Sequence, residues 1–423
     1  MTRRHPARSF SMRKASPTSL RRISPTSFRV ANRGTSREIN RQIALNLIRF
    51  RQPLSRADLA RLMGVRRGAI TRIVDDLLEA GLVYEGEKGP SERGRKPLLL
   101  YLDTRRHCAI AVDVSATRTF IMVTDLLGAP LGDVRTLPTS SEPTALVEEL
   151  AHGVRQILAE RPVGSECVGM GVVVSGVVDS AVGRLKFSPT LGWRDADLAG
   201  PLSAATGMPV VVENSCKACV LAQVWGARAD TAADGPVAFV NISDGVGVGI
   251  AVDGKLLRGA HDLAGEVGHV TLDPAGPLCS CGQRGCWESF VSRRAVLARY
   301  LGADPSWPES ATRPGPSVEA IIERAVAGEA QAVTTIKETA QYLGRGIAVL
   351  CKTVDPHRVY LGGDLTRAWD MLRPGVLEVL QRESLIRAAG PVEILIVPRE
   401  EHPRLRGAAA LVSTAAFAAP IVA

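Results

Sequence analysis

The stretch Gly265–Glu288, GEVGHVTLDPAGPLCSCGQRGCWE, holds one histidine and three cysteines, His269, Cys279, Cys281 and Cys286. Three soft thiolates and one imidazole make a complete tetrahedral ligand set for zinc. Gly282 and Gly285 lie between the second and third thiols, where the chain must fold back and a Cβ would obstruct. Four protein ligands leave the metal no open position, which makes it structural rather than catalytic. The alternative, buried free cysteines of a cytosolic protein, accounts poorly for four ligand-type residues punctuated by glycine.

Upstream stand Gly245, Gly247 and Gly249, after the apolar run Val237–Ile242. Alternate glycines there suit a strand entering a turn whose bare N–H groups face an anion. The run through Gly259 and Gly265-Glu266-Val267-Gly268-His269, with the metal pattern behind it, resembles the signature of the ROK family (repressors, open reading frames and sugar kinases). The resemblance extends from Ala109 to the C-terminus, through Ser175-Gly176-Val177-Val178-Asp179, Leu191-Gly192-Trp193, Val359–Gly363 and Gly407-Ala408-Ala409. It implies an actin-like (RNase H-like) α/β sugar-kinase fold of two lobes around a cleft. Residues 105–423 form this body: roughly 105–214 plus the C-terminal helix as one lobe, 215–403 as the other.

The chain has 423 residues, 45% hydrophobic, with a net charge of +9. That length accommodates two or three domains. No apolar run approaches the ~20 residues of a membrane helix, so no membrane partner is expected. Eight cysteines, three of them in one metal pattern, argue for a reducing cytoplasm rather than a disulfide scaffold; Cys108, Cys167 and Cys351, in apolar runs, read as core. Cys216-Lys217-Ala218-Cys219 reads as helix packing rather than a redox pair, because no thioredoxin-like context surrounds it. The charge is uneven. Residues 1–104 carry 22 Lys+Arg and 9 Asp+Glu, and the remainder 30 and 34. A basic third on a slightly acidic body suggests a polyanion-binding module.

Residues 1–35 hold nine Arg or Lys and no acid, with SPTSL at Ser16–Leu20 echoed by SPTSF at Ser24–Phe28. That composition cannot build a core and reads as a basic disordered arm; it superficially resembles a transit peptide, and Met12 offers an alternative start. From Ser36, Ile39, Ile43, Ala44, Leu47 and Ile48 recur at helical spacing. Ser55 opens a second helix with Asp58 as a shortened capping box, and Gly64 ends it. A third helix runs from about Arg66 to Ala80, followed by a strand pair. Residues 36–104 therefore predict a winged helix-turn-helix. Outward candidates for DNA contact are Arg66, Arg67, Thr71 and Arg72 on the third helix, and Arg93, Arg95 and Lys96 on a wing spanning Glu87 to Lys96. A three-helix bundle with solvated arginines is the plain alternative. The segment resembles the DNA-binding domain of ROK repressors, except that Arg66 replaces the serine that usually caps the recognition helix and Ala69 the frequent threonine. The missing cap costs about 1 kcal/mol.

Within the family, the resemblance places a glycine-rich phosphate turn at Asp113-Val114-Ser115-Ala116-Thr117, where side chains replace both glycines. The catalytic Asn-Asp pair is here Asn214-Ser215, and serine cannot serve as the base near neutral pH. Two of three kinase features are lost, so no enzymatic activity is expected. For ligand binding the resemblance implies Gly176, Thr190, Asn214, Ser215, Glu266, His269 and Glu288, with Thr190 standing for Asn and Ser215 for Asp. Glu266 and Glu288 could instead only support the metal knot. The reading is a cytoplasmic transcriptional regulator, a repressor of carbohydrate-related genes: a winged helix for operator double-stranded DNA, and a zinc-bearing body that senses a sugar or related metabolite and assembles as a homodimer or homotetramer. Two alternatives stay open, an ATP-dependent sugar kinase with a fused DNA-binding domain and a DNA-binding protein whose body only oligomerises.

Overall fold

The computed structural model describes residues 33–89, 96–160, 166–226, 235–306, 308 and 314–417. The basic arm up to residue 32, Met12 and the wing residues Arg93 and Arg95 lie outside them. Helix Arg33–Arg51 begins three residues before the expected Ser36; no proline interrupts Arg33–Ser36 to delay it. It buries Ala44, Leu45 and Ile48. Helix Arg56–Met63 starts with the expected capping box, Ser55 accepting from the Asp58 backbone N–H and Asp58 accepting from that of Ser55. Gly64 ends it with φ 64°, a conformation that costs glycine nothing. Helix Arg67–Glu79 turns Ile70, Ile73, Val74 and Leu77 inward, and Arg66 at its start makes no side-chain cap. Strands Val83–Lys88 and Leu98–Leu102 pair antiparallel, with Leu54–Ser55 on the other edge of Leu98–Leu102. This is a winged helix-turn-helix.

The body contains two five-stranded sheets with the same topology. In the first, His107–Val114 is central. It pairs antiparallel with Arg118–Asp125, which pairs with Arg135–Pro138, and on its other side lie parallel Glu166–Val174 and Val210–Asn214. In the second, Val237–Ile242 pairs antiparallel with Val246–Val252, which leads to Lys255–Leu256, and lies parallel to Arg358–Gly363 and then Glu393–Ile396. Numbered within each lobe, both orders are 3-2-1-4-5: the actin-like duplication, present in the folding although no sequence repeat announces it.

Two helices cross between the lobes. The cleft helix, Ser215–Gly226, starts at the end of a first-lobe strand and backs onto second-lobe strand Val246–Val252. The closing helix, Pro403–Phe417, returns to the first lobe as expected and lies on Glu166–Val174 and His107–Val114. Contact is at backbone distance: a Cβ on Gly171 would sit 1.9 Å from the carbonyl oxygen of Ala408.

The cysteine expectation is corrected in one respect. Cys108 and Cys167 form a disulfide between positions directly paired across parallel strands. Their separation of 59 residues gives no hint of this, because parallel register is set by the whole sheet. Cys351, Cys216 and Cys219 are buried as expected. No described helix is long and apolar enough to cross a membrane.

Candidate metal centre and inter-lobe cleft

The ligand atoms of His269, Cys279, Cys281 and Cys286 all lie within 4.8 Å of one another. His269 ends a short 3-10 helix, Glu266–His269, and the thiols come from the loop that follows. His269 Nδ1 is 3.6 Å from Cys279 Sγ, and Cys281 Sγ is 3.6 Å from Cys286 Sγ. Both predicted folding glycines have positive φ, and a Cβ on Gly285 would fall 1.5 Å from the Asp273 carbonyl oxygen. Burial works against the Cys279 thiolate, yet the hydrogen bonds from His269 and from the backbone of Cys281 outweigh it and lower this thiol below its usual range. Burial and the neighbouring thiols push Cys286 up. Three sulfurs and one imidazole nitrogen within 4.8 Å of one another are a donor set that a soft divalent cation satisfies.

Glu288 is 6% exposed and fully engaged. It accepts from Ser280 (3.0 Å), Arg294 (3.0 Å) and the Val246 backbone N–H (3.1 Å), and lies 3.5 Å from Cys279 Sγ. Its contacts are those of a group supporting the knot. Glu266 differs: half-buried, its carboxyl is raised chiefly by burial, against the pull of His269 and Lys217.

The glycine run needs a corrected reading. Val246–Val252 is a strand, and a Cβ on Gly247 or Gly249 would meet Cys216 Sγ at 2.3 Å or the Cys216 carbonyl oxygen at 2.0 Å. These glycines admit the cleft helix to the strand. Gly245 admits Glu288, whose Oε2 would lie 2.5 Å from a Cβ there. All three are explained by close packing rather than by an anion.

On the first-lobe side, Asn214 joins the lobe turn to the cleft helix. Its Nδ2 donates to the Gly176 carbonyl (2.9 Å), and its Oδ1 accepts from the N–H groups of Cys216 and Lys217 (2.9 and 3.2 Å). Gly176 has φ 124° and lies against Phe187. Ser215 is buried, and Thr190 is exposed in the turn after Arg184–Ser188. Three charged groups missed in the sequence complete this wall. Arg404, from the closing helix, pairs with Asp113 at 2.7 Å near the end of strand His107–Val114; burial raises the Asp113 carboxyl while Arg404 draws it down. Glu213, 0% exposed, pairs with second-lobe Arg258 at 2.9 Å. Lys217, 2% exposed, donates to the Asp262 carbonyl at 2.6 Å. A signal existed for Lys217 alone, a lysine inside an otherwise apolar helical run.

In the winged helix, Arg66, Arg67, Thr71, Arg72 and Lys96 are exposed, as an outward DNA face requires. Thr71 returns its hydroxyl to the Arg67 carbonyl (3.1 Å). Two of the three acids on the same helix are paired with arginines of other helices, Asp75 with Arg56 and Asp76 with Arg37. The positive charge is thereby left on the helix's N-terminal half.

A family model described as the ROK family matches residues 109–415, and one described as the MarR family matches residues 39–96. A two-lobed body of duplicated sheets with this knot defines the class: the chain belongs to the ROK family. Among its relatives is the xylose repressor of Bacillus subtilis, 28% identical over 348 residues, covering 81% of this chain and 86% of that protein. A glucokinase of Streptomyces coelicolor is 32% identical over 274 residues, covering 62% of this chain and 84% of that one. The crystal structure of a ROK family transcriptional regulator, described as a homologue of the E. coli MLC protein, superimposes with a TM-score of 0.75 at 25% identity, covering 90% of this chain and 97% of that chain.

Proposed function

We propose that this protein is a sugar-responsive transcriptional repressor without kinase activity. The observation that carries the reading is the joining of an outward-facing basic recognition helix to a body whose phosphate turn is closed by an internal ion pair, Arg404 with Asp113. Phosphoryl transfer needs phosphates, metal and base in line. Here a guanidinium is salt-bridged to the turn's carboxylate and Ser215 stands at the base position. A relative that covers 81% of this chain is named a repressor, whereas the glucokinase covers 62% of it.

Arg66, Arg67, Thr71 and Arg72 read and position operator DNA, with Arg93, Arg95 and Lys96 of the wing on the backbone. Zinc is held by His269, Cys279, Cys281 and Cys286, where it fixes the direction of the imidazole. A sugar or related metabolite lies between the lobes, against Glu266 and His269 on one side and Gly176, Asn214, Ser215 and Thr190 on the other; Glu288 supports the knot beneath it. The assembly is a symmetric dimer or tetramer in the cytoplasm, since two modules at fixed spacing give operator specificity.

The test is selection of genomic DNA fragments by the full chain, followed by titration of the selected fragment against a panel of aldopentoses, hexoses and N-acetylhexosamines. One sugar class should release the DNA, and the DNA should weaken that sugar's binding by the same factor. A sugar that binds equally with and without DNA would refute the sensing role, and ATP-dependent phosphorylation of any of these sugars would refute the loss of kinase activity.

A further inference from the structure

We propose that Cys108 and Cys167 are a reversible dithiol–disulfide site at the seam between the DNA module and the body, exchanging with small thiols and their disulfides and setting how firmly the module is seated. The proposal rests on the reading that the module binds DNA.

The bridge joins the first turns of two paired strands, with His107 opposite Glu166 and Cys108 opposite Cys167. The neighbours of both cysteines touch the module. Next to Cys167, Val168 packs into the module's hydrophobic core together with Leu126, Trp225 and Phe417 of the body. Next to Cys108, the His107 ring lies 3.4 Å from the carbonyl of Ala80, at the end of the recognition helix. Arg106 accepts from the Glu166 N–H at 2.8 Å, and its side chain lies against Gly81. The strand ends clamped by the bridge are therefore the platform under the recognition helix.

The three thiols of the knot can bind a metal only while they are reduced, and in reducing surroundings a disulfide is typically transient and sensing. Of the remaining cysteines, Cys216 and Cys351 have thiols pushed up by burial to about 11, and Cys219 is pushed well up too; all three are buried and make poor nucleophiles. Cys108 is buried and Cys167 is partly exposed, so exchange enters at the Cys167 sulfur. A small thiolate attacks that sulfur, the S–S bond breaks, and Cys108 leaves as thiolate and takes a proton. A second small thiolate attacks the outer sulfur of the mixed disulfide and frees Cys167. Two external thiols are oxidised to one disulfide, and the protein gains two thiols.

The experiment equilibrates the zinc-loaded full chain in a series of reduced-to-oxidised glutathione buffers, traps thiols with acid and alkylation, and maps the peptides by mass. The same samples are titrated with the selected DNA fragment, and amide exchange is followed over residues 33–89. Cys108 and Cys167 should convert together across the series at constant zinc content. Reduction should speed exchange in the module and weaken DNA binding at least fivefold, at the lower edge of ordinary coupling. Cys108→Ser and Cys167→Ser should hold the reduced values in every buffer. A pair that stays wholly oxidised or wholly reduced, a conversion that leaves amide exchange unchanged, or a redox response that persists in both variants and so belongs to the metal thiolates, would each overturn the proposal. Should the chain bind no DNA at all, the repressor reading fails, while peptide mapping and amide exchange still decide the redox site.

Discussion

The two walls of the inter-lobe cleft carry similar residues in opposite states. On the first-lobe wall the carboxylates and the Asn214 amide are engaged within the protein: Asp113 with Arg404, Glu213 with Arg258, Asn214 with Gly176 and the start of the cleft helix. On the second-lobe wall Glu266 is half-buried beside His269, its carboxyl raised by burial, while the neighbouring Glu288 is consumed in holding the knot. One fold can thus serve recognition or transfer, depending on how the carboxylates of its cleft are paired. Side chains, not the fold, decide which of the two a two-lobed body performs.

The harshest way to break this contrast is at the knot. Cys286→Ala should abolish stoichiometric zinc and destabilise the second lobe by roughly 4 kcal/mol or more, read by metal analysis and thermal unfolding. Full zinc retention would mean that His269, Cys279 and Cys281 suffice and that Cys286 is not a ligand. On the first-lobe side, Arg258→Ala leaves Glu213 buried without its counter-charge. Because Arg258 is partly exposed, we expect about 2–4 kcal/mol, below the full cost of breaking a buried pair, measured by urea unfolding. A loss near zero would show that the lobes are not tied there.

A sharper probe places a carboxylate at position 215. Ser215→Asp should yield no ATP-dependent phosphorylation of hexoses, because Arg404 still pairs with Asp113; turnover in that variant would show that the base alone was lacking. On the DNA side, Arg67→Ala and Arg72→Ala should each relax base preference by ~1–3 kcal/mol. Lys96→Ala should mainly reduce the salt slope by about one. Competition binding at several salt concentrations separates the two effects, and unchanged specificity in both helix variants would refute the recognition-helix assignment. The smallest effect is expected at the uncapped helix start. Arg66→Ser should raise the module's stability by about 1 kcal/mol while lowering DNA affinity if Arg66 reaches a phosphate, so unfolding and binding should move in opposite directions.

Much of this was legible in the residues. The capping box at Ser55 and Asp58, the left-handed stop at Gly64 and the missing cap at Arg66 are local events, governed by atoms within four positions, and each stands where the spacing puts it. The metal set was legible for the same reason: four ligands and two folding glycines fall in one short loop. The second lobe's first strand and the closing helix followed from the apolar run and from the family pattern.

The remainder depended on partners far apart in sequence. Cys108 meets Cys167 because two parallel strands share a register, and register is a property of the whole sheet. Arg404 reaches Asp113 across 291 positions because the closing helix folds back over the first lobe. Gly247 and Gly249 looked like an anion-binding run; only the approach of the cleft helix shows that a Cβ there would strike Cys216. By itself the sequence determined which segments are helix, strand and metal loop, since short-range sterics and ligand chemistry act within a few residues. The tertiary structure alone decided which charges are spent on each other and which face the cleft, since Coulombic pairing and burial depend on distance in space.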